Sequence, residues 1–185
     1  STGGSLNTAR SDLAGVGTQA AALAFGGRPP AQAGSNATEQ YDGSTWTSVN
    51  NLNTGRRNLG GFGSTTAAIA AAGRDPNTAK TESWDGTNWT EVTDLNQARA
   101  NVNISGAGTQ TAGMITGGSS YETYNELWNG SSWTETTELN TSGKTQRGMS
   151  GATQTAVIVS GGGPAVANTE TWNGTSWTEV SDLNT

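Results

Sequence analysis

The sequence predicts an all-β protein built from four tandem units of about 44 residues, each a four-stranded antiparallel sheet. Three observations predict this fold class. A hexapeptide in which two aromatic residues flank Asp-Gly or Asn-Gly occurs four times, a short apolar run ending in small residues occurs four times, and a Leu-Asn pair recurs at nearly constant spacing. Strand-length apolar runs separated by turn signals are typical of all-β repeat proteins.

The hexapeptides are residues 41–46, 84–89, 128–133 and 172–177. Asp-Gly and Asn-Gly are the strongest short signals for a tight hairpin, in which both central residues take φ > 0. We therefore expect each hexapeptide to end one strand, turn, and begin the next. The first aromatic residues are Tyr41, Trp84, Trp128 and Trp172, and the second are Trp46, Trp89, Trp133 and Trp177.

The Leu-Asn pairs set the boundaries of the units. They begin at Leu6, Leu52, Leu95, Leu139 and Leu183, which are 46, 43, 44 and 44 residues apart. We expect units at residues 6–51, 52–94, 95–138 and 139–182. In the same phase, residues 1–5 correspond to the end of a preceding unit and residues 183–185 to the start of another. A Gly/Ser linker is the alternative interpretation of residues 1–5.

The first two strands of each unit follow the Leu-Asn pair. Strand one is rich in glycine and is expected at residues 13–16, 59–62, 102–104 and 149–152. Glycine inside a strand indicates close approach of another backbone, as at an inner strand around an axis. Strand two is the most apolar, at residues 20–25, 67–71, 112–115 and 156–159, which is typical of a strand buried on both faces.

The last two strands flank the hexapeptide turn. A loop of variable length leads into strand three, which carries a glutamate two residues before the first aromatic residue, so the two side chains share a face. Strand four begins at the second aromatic residue and alternates as in Trp-Thr-Glu-Val, which indicates a half-exposed outer strand. The glutamates are Glu39, Glu82, Glu126 and Glu170.

Composition restricts the function. The net charge of −6 disfavours nucleic acid and anionic membranes as partners. The chain has no His and no Cys, which removes the commonest metal ligand, the commonest general base and all thiol chemistry. We expect no cofactor and no metal site. Copper-radical oxidase chemistry, which uses His and a Cys-linked Tyr, is also excluded.

An apolar strand ending in Gly-Gly, followed by an aromatic residue and a Trp around a turn, resembles the kelch repeat of β-propellers. The resemblance covers nearly the whole chain, and the second unit departs from it with Ala72-Gly73 in place of Gly-Gly. It implies radial four-stranded blades with strand one nearest the axis. The Thr-, Asn- and Gly-rich strings are similar to kelch-like arrays in structural proteins of marine tailed phages.

Three assemblies are compatible with four blades. They are a tight four-bladed ring, two copies joined in an eight-bladed ring, and a segment of a larger toroid formed by a longer chain. We favour an incomplete ring that other copies or further repeats complete.

The glutamates are predicted to be structural. Arg10, Arg56 and Arg99 each lie four residues after a unit's Leu, and an Arg–Glu pair within each blade is the best explanation for both columns. The fourth unit has Gly143 at this position, with Lys144 and Arg147 nearby. A ring of functional carboxylates is the alternative, but positions that recur in every blade are usually scaffold.

The paired aromatic residues are likewise expected to be core, with sugar-stacking platforms as the alternative. Function more often resides in unequal loops on a rigid scaffold. The candidate ligand-binding residues are Arg28, Pro29 and Pro30 in the first unit, and Tyr121 and Tyr124 in the third.

We therefore expect a structural or adhesive protein without enzyme activity, such as a virion fibre or surface component that presents loops to a host glycan or protein receptor. An extracellular or virion-surface location follows from that hypothesis. A protein-interaction scaffold of cellular kelch type is the alternative. A carbohydrate-active propeller enzyme is the third hypothesis, and it needs two paired carboxylates that nothing in the sequence singles out.

Overall fold

The computed structural model describes residues 4–30, 32–101, 106–118, 123–141, 148–162 and 167–184, and these residues form strands, turns and loops without a helix. No described segment is therefore a helix with the length and apolarity needed to cross a membrane. The strands form four antiparallel sheets, arranged as a four-bladed β-propeller.

Each blade contains four strands that are hydrogen-bonded in chain order. Blade 1 has β1 (Ala14–Thr18), β2 (Ala21–Phe25), β3 (Thr38–Tyr41) and β4 (Trp46–Val49). Blade 2 has β5 (Gly60–Gly63), β6 (Ala68–Ala71), β7 (Thr81–Trp84) and β8 (Trp89–Val92). Blade 3 has β9 (Ala107–Thr109), β10 (Ala112–Thr116), β11 (Asn125–Trp128) and β12 (Trp133–Thr136). Blade 4 has β13 (Gly148–Thr153), β14 (Ala156–Ser160), β15 (Thr169–Trp172) and β16 (Trp177–Val180).

The strand predictions are confirmed in all but one place. Each hexapeptide joins the third and fourth strands of a blade, and each apolar run forms the second strand. The first strand is the inner one, because β1 packs beside β5, β5 beside β9, and β9 beside β13. The first strand expected at residues 102–104 lies outside the described residues, and β9 follows it in the chain.

The turn between the two aromatic residues is present, but the prediction that both central residues take φ > 0 was wrong. Only the glycine of each Asp-Gly or Asn-Gly has a positive φ, between 94 and 97°. Tyr41 pairs directly with Trp46, so four residues connect β3 to β4. In that loop Asp42 Oδ1 accepts hydrogen bonds from the backbone N–H groups of Ser44 and Thr45, each at 2.8 Å. Asp85, Asn129 and Asn173 bind the equivalent pairs of N–H groups. The side chain thereby supplies the acceptor that a tighter turn would supply from the backbone.

The hydrophobic core is divided among the interfaces between successive blades. Blades 1 and 2 enclose Leu23, Phe25, Leu52 and Trp89, with the Phe25 and Trp89 ring centroids 4.9 Å apart. Ile69 and Ile115 lie in the next interface, and Met114 and Val159 in the third. Leu23, Ile69, Met114 and Ile158 occupy equivalent positions on the second strands, so the repeat gives every blade an apolar residue at this position.

Candidate functional site

The repeated glutamates bind the Leu-Asn segment of their own unit. In blade 2, Glu82 Oε2 accepts hydrogen bonds from Asn53 N at 2.7 Å and Asn53 Nδ2 at 3.0 Å, and Oε1 accepts one from Thr54 N at 3.3 Å. Arg56 Nη2 lies 3.3 Å from Glu82 Oε1, and both side chains are fully buried. We call this arrangement the glutamate clasp, because it fastens the segment before the first strand to the third strand.

The other three blades repeat the clasp. In blade 3, Arg99 Nη2 lies 2.6 Å from Glu126 Oε1. Arg10 pairs with Glu39 in blade 1. In blade 4, Glu170 accepts hydrogen bonds from Asn140 N and Nδ2, at 2.8 and 3.1 Å. The position of the missing arginine, Gly143, lies outside the described residues, as do Lys144 and Arg147. The asparagines of the four clasps are Asn7, Asn53, Asn96 and Asn140.

In the clasp of blade 1, electrostatics favour the charged form of the Glu39 carboxylate. Burial acts to raise the pKa of Glu39, but hydrogen bonds from Arg10, Asn7 and Thr8 outweigh it and hold this pKa below its ordinary value. Burial lowers the pKa of Arg56. Within the described ranges, no group of three or more acidic side chains is placed to hold a metal ion. The hydrogen bonds and ion pairs described for these carboxylates come from the chain itself.

The paired tryptophans lie in the interfaces between blades. Both tryptophans of the hexapeptide are nearly fully buried in blades 2, 3 and 4, with exposed fractions from 0 to 6 %. Trp89 Nε1 donates to Thr38 Oγ1 at 3.0 Å, and Trp133 Nε1 donates to Thr81 Oγ1 at 3.1 Å, each across an interface. Buried rings offer no face to a sugar. In blade 1, Tyr41 and Trp46 are only half-buried.

The first candidate loop follows β2. The backbones of Arg28 and Ser11 exchange two hydrogen bonds, at 2.7 and 3.0 Å, which anchor the start of this loop beside the segment that carries Arg10. Arg28 and Pro30 are exposed, whereas Pro29 is buried. Residues 9–11 and 28–30 line a shallow concavity of about 200 Å³. The loop thus presents one cationic side chain next to a rigid Pro-Pro step.

The second candidate loop follows β10. Tyr124 is 38 % exposed, and its carbonyl oxygen accepts hydrogen bonds from Gly117 N at 2.9 Å and Arg99 Nη1 at 3.1 Å. Tyr121 lies outside the described residues. Because both candidate loops join the second strand of a blade to the third, the structure places them at the same end of the propeller, on blades 1 and 3. Arg28, Pro29 and Pro30 share one concavity, and Tyr124 is not among the described residues that line it.

The opposite end of the propeller holds a cavity that sequence reasoning missed. It has a volume of about 490 Å³ and is lined by residues at the ends of the first and second strands in blades 2 and 3, and by Gly151 and Ala152 of β13 in blade 4. Its described lining residues are small or polar, among them Ser64, Thr109, Gln110 and Thr111, and none of them is ionisable. The Gly-Thr-Gln-Thr-Ala string at residues 108–112 supplies four of the lining residues and is the sequence signal for this cavity. The asparagines of the clasp were also missed, although an Asn follows every Leu of the column.

No family model matches this sequence, and no curated protein is significantly similar to it.

Proposed function

We propose that this chain is a non-catalytic, kelch-like propeller of a structural or adhesive protein, of the kind found in virion fibres and surface components of marine tailed phages. It presents the Arg28–Pro30 loop and the loop that contains Tyr124 to a host glycan or protein receptor. The observation that carries the proposal is the contrast between residues that recur in every blade and loop residues that differ between blades. The glutamates of all four blades and the hexapeptide tryptophans of blades 2, 3 and 4 are buried, whereas Arg28, Pro30 and Tyr124, which differ between blades, are exposed at one end.

The chemistry of these loops suits a polar, extended ligand. Arg28 offers planar N–H donors for carboxylates or sugar hydroxyls, and Tyr124 offers an exposed ring for stacking. The chain has a net charge of −6, so an exposed cation such as Arg28 is a local site of positive charge on an acidic protein. Such a site attracts an acidic ligand. Sialylated or uronic acid-containing glycans fit this description.

The test is a binding screen against arrayed glycans and host-surface protein fractions, followed by variants of the loops. We expect Arg28→Ala and Tyr124→Ala each to weaken binding of the retained ligand about tenfold. Thr111→Ala, at the opposite end of the propeller, is the matched control and should leave binding unchanged. Binding that depends on Thr111 and not on the loops would overturn the assignment of the ligand face, and turnover of the bound glycan would overturn the non-catalytic function.

A protein-interaction scaffold of cellular kelch type is the second candidate. The rigid Pro29-Pro30 step beside an anchored backbone favours it, because such a surface suits an extended peptide. Retention of a protein and no glycan in the same screen would select this function.

A further inference from the structure

The two ends of the row of blades have apolar faces that lack the neighbour found everywhere else. Side chains alternate along each strand, so every blade has a leading face toward the next blade and a trailing face toward the previous one. β13 of blade 4 and β1 of blade 1, as described, have none of the close packing that joins the other inner strands in succession. The leading face of blade 4 and the trailing face of blade 1 are therefore uncovered.

The leading face of blade 4 exposes residues that are core elsewhere. Ile158 is 43 % exposed, whereas Leu23 and Ile69, at the same position in blades 1 and 2, are 0 % and 1 % exposed. Leu183 is 50 % exposed, whereas Leu52, which starts an earlier unit, is 1 % exposed. Strand alternation also places Ser160, Thr169, Thr171 and Val180 on this face, and these described side chains are apolar or carry a hydroxyl group.

The trailing face of blade 1 is the complementary surface. It carries the half-buried Tyr41 and Trp46, whose ring centroids are 5.1 Å apart. Their equivalents in blade 2, Trp84 and Trp89, pack into blade 1 and are 0 % and 5 % exposed. Tyr41 and Trp46 thus occupy the positions of interface residues, but the leading face of another blade does not cover them.

The two uncovered faces carry the donor and the acceptor of a hydrogen bond that crosses the other interfaces. In the first two interfaces, the second tryptophan donates to a threonine that begins the third strand of the preceding blade. The preceding face for Trp46 would be that of blade 4, and blade 4 has Thr169 at this position. The Thr169 hydroxyl donates to the Ala167 carbonyl at 3.4 Å, so its oxygen keeps lone pairs for an N–H donor. Thr169 is 4 % exposed in one copy, so neighbouring side chains on this face must move for Trp46 to reach it.

We propose that the leading face of blade 4 binds the trailing face of blade 1 in a second copy of this chain. Ile158, Val180 and Leu183 cover Tyr41 and Trp46 of the second copy, and Trp46 Nε1 donates to Thr169 Oγ1. The contact continues the blade-to-blade interface that the chain already forms three times. Two copies are the smallest assembly in which both faces of every copy are covered, and such an assembly contains eight blades. Head-to-tail contacts of this kind close into rings when the rotation between copies allows.

The test is the mass of the purified chain in solution, measured by light scattering across a concentration series. We expect a species of about twice 18.8 kDa. Ile158→Glu adds a charge at an exposed position, so it should leave the fold intact and give a monomer. Thr90→Glu, at an exposed position on β8 of an interior blade, is the matched control and should leave the assembly unchanged.

A second pair of variants separates association from folding. Thr169→Val removes the proposed acceptor for Trp46 and should weaken association about fivefold to tenfold without lowering the stability of the monomer. Thr38→Val removes the equivalent acceptor inside the chain and should lower monomer stability instead. A larger ring or filament that Ile158→Glu disperses would support the interface. A monomer at all concentrations, or an assembly indifferent to Ile158→Glu and Thr169→Val, would overturn it.

Discussion

Trp133 donates its indole N–H to the hydroxyl oxygen of Thr81 at 3.1 Å, across the interface between blades 3 and 2. The same bond joins Trp89 to Thr38 in the preceding interface. In the interface between blades 3 and 4 the threonine is replaced by Asn125, and there the Trp177 indole N–H and the Asn125 amide oxygen are both buried without a hydrogen-bond partner. A buried polar atom without a partner lowers stability, so this substitution identifies a weak point in the propeller.

Replacing Asn125 with threonine should therefore increase the stability of the folded protein. We expect Asn125→Thr to raise the free energy of unfolding by about 1 kcal/mol, because it restores the acceptor that the other interfaces have. Chemical denaturation followed by tryptophan fluorescence measures the change. Thr81→Asn is the reciprocal control and should lower stability by a similar amount. A loss of stability in Asn125→Thr would contradict the repeat-based interpretation of this site.

Ala72 occupies a backbone conformation that favours glycine. Its φ is 60°, whereas the equivalent residues Gly26, Gly117 and Gly161 have φ of 68, 72 and 67°. The left-handed region costs a non-glycine residue about 1 kcal/mol. Ala72→Gly should thus leave thermal stability unchanged or raise it, although Ala72 is fully buried. Ala71→Gly, a buried position in β6 without a positive φ, should lower stability by about 1 kcal/mol, and equal losses in the two variants would contradict this explanation.

The clasp of blade 2 should be costly to break. Arg56→Met leaves the carboxylate of Glu82 buried without its cation, and we expect the free energy of unfolding to fall by about 3 kcal/mol. The comparison is Lys80→Met, which breaks the exposed pair between Lys80 Nζ and Glu91 Oε2 at 2.8 Å and should cost less than about 0.5 kcal/mol. Urea titrations of the two variants give both values. Similar costs for the two pairs would show that the buried pair has no special role.

Stability should depend on pH through Glu39. Its pKa in the folded protein is lowered below the ordinary value of 4.5, so its contribution is present above pH 4.5 and is lost as the pH falls through the folded-state pKa. The Asp85 carboxylate, whose pKa is lowered by hydrogen bonds from Asn88 and Thr87, acts in the same direction. Melting curves between pH 7 and pH 3 should therefore show a falling Tm. The difference in Tm between Glu39→Gln and the parent protein should shrink over that range, and a constant difference would contradict the assignment.

The hairpin glycines should resist replacement. Gly174 has a φ of 97°, which a β-branched residue strongly disfavours. Gly174→Val should lower the free energy of unfolding by about 2 kcal/mol. Thr175→Val, at the next and exposed position, keeps the backbone N–H that donates to Asn173 Oδ1 and should have little effect. Unchanged thermal stability of Gly174→Val would refute the turn geometry.

Much of the fold was predictable from the sequence because each motif occurs four times at similar spacing. The apolar runs and the hexapeptides gave the second, third and fourth strands, and the spacing of Arg56 from Leu52 predicted its partner Glu82. The turn type was not predictable from Asp-Gly alone, since a four-residue loop uses the same dipeptide when the Asp side chain accepts two N–H bonds. Prediction from spacing works where a contact repeats at constant offset.

The relative positions of the loops and the position of the cavity were less predictable, because they depend on contacts between units that do not repeat at a constant offset in the sequence. The strand order, which is the same in every blade, places the Arg28 loop and Tyr124 at one end of the propeller. The distance between them depends on how blades 1 and 3 are arranged around the axis. The cavity beside Ser64, Thr109 and Gly151 is formed by residues of three blades, and the local sequence of each blade does not indicate that they lie together. Contacts between units need the angle between blades, which no local pattern encodes.

The glutamate clasp also has an evolutionary consequence. Asn53 and Glu82 are 29 residues apart, and the corresponding Asn–Glu pairs in the other blades are 30 to 32 residues apart, so each clasp closes within one unit. A stretch that runs from one Leu-Asn pair to the next therefore contains both the asparagine and the glutamate of its own clasp. We expect that deleting or duplicating such a stretch leaves the clasps of the remaining blades intact.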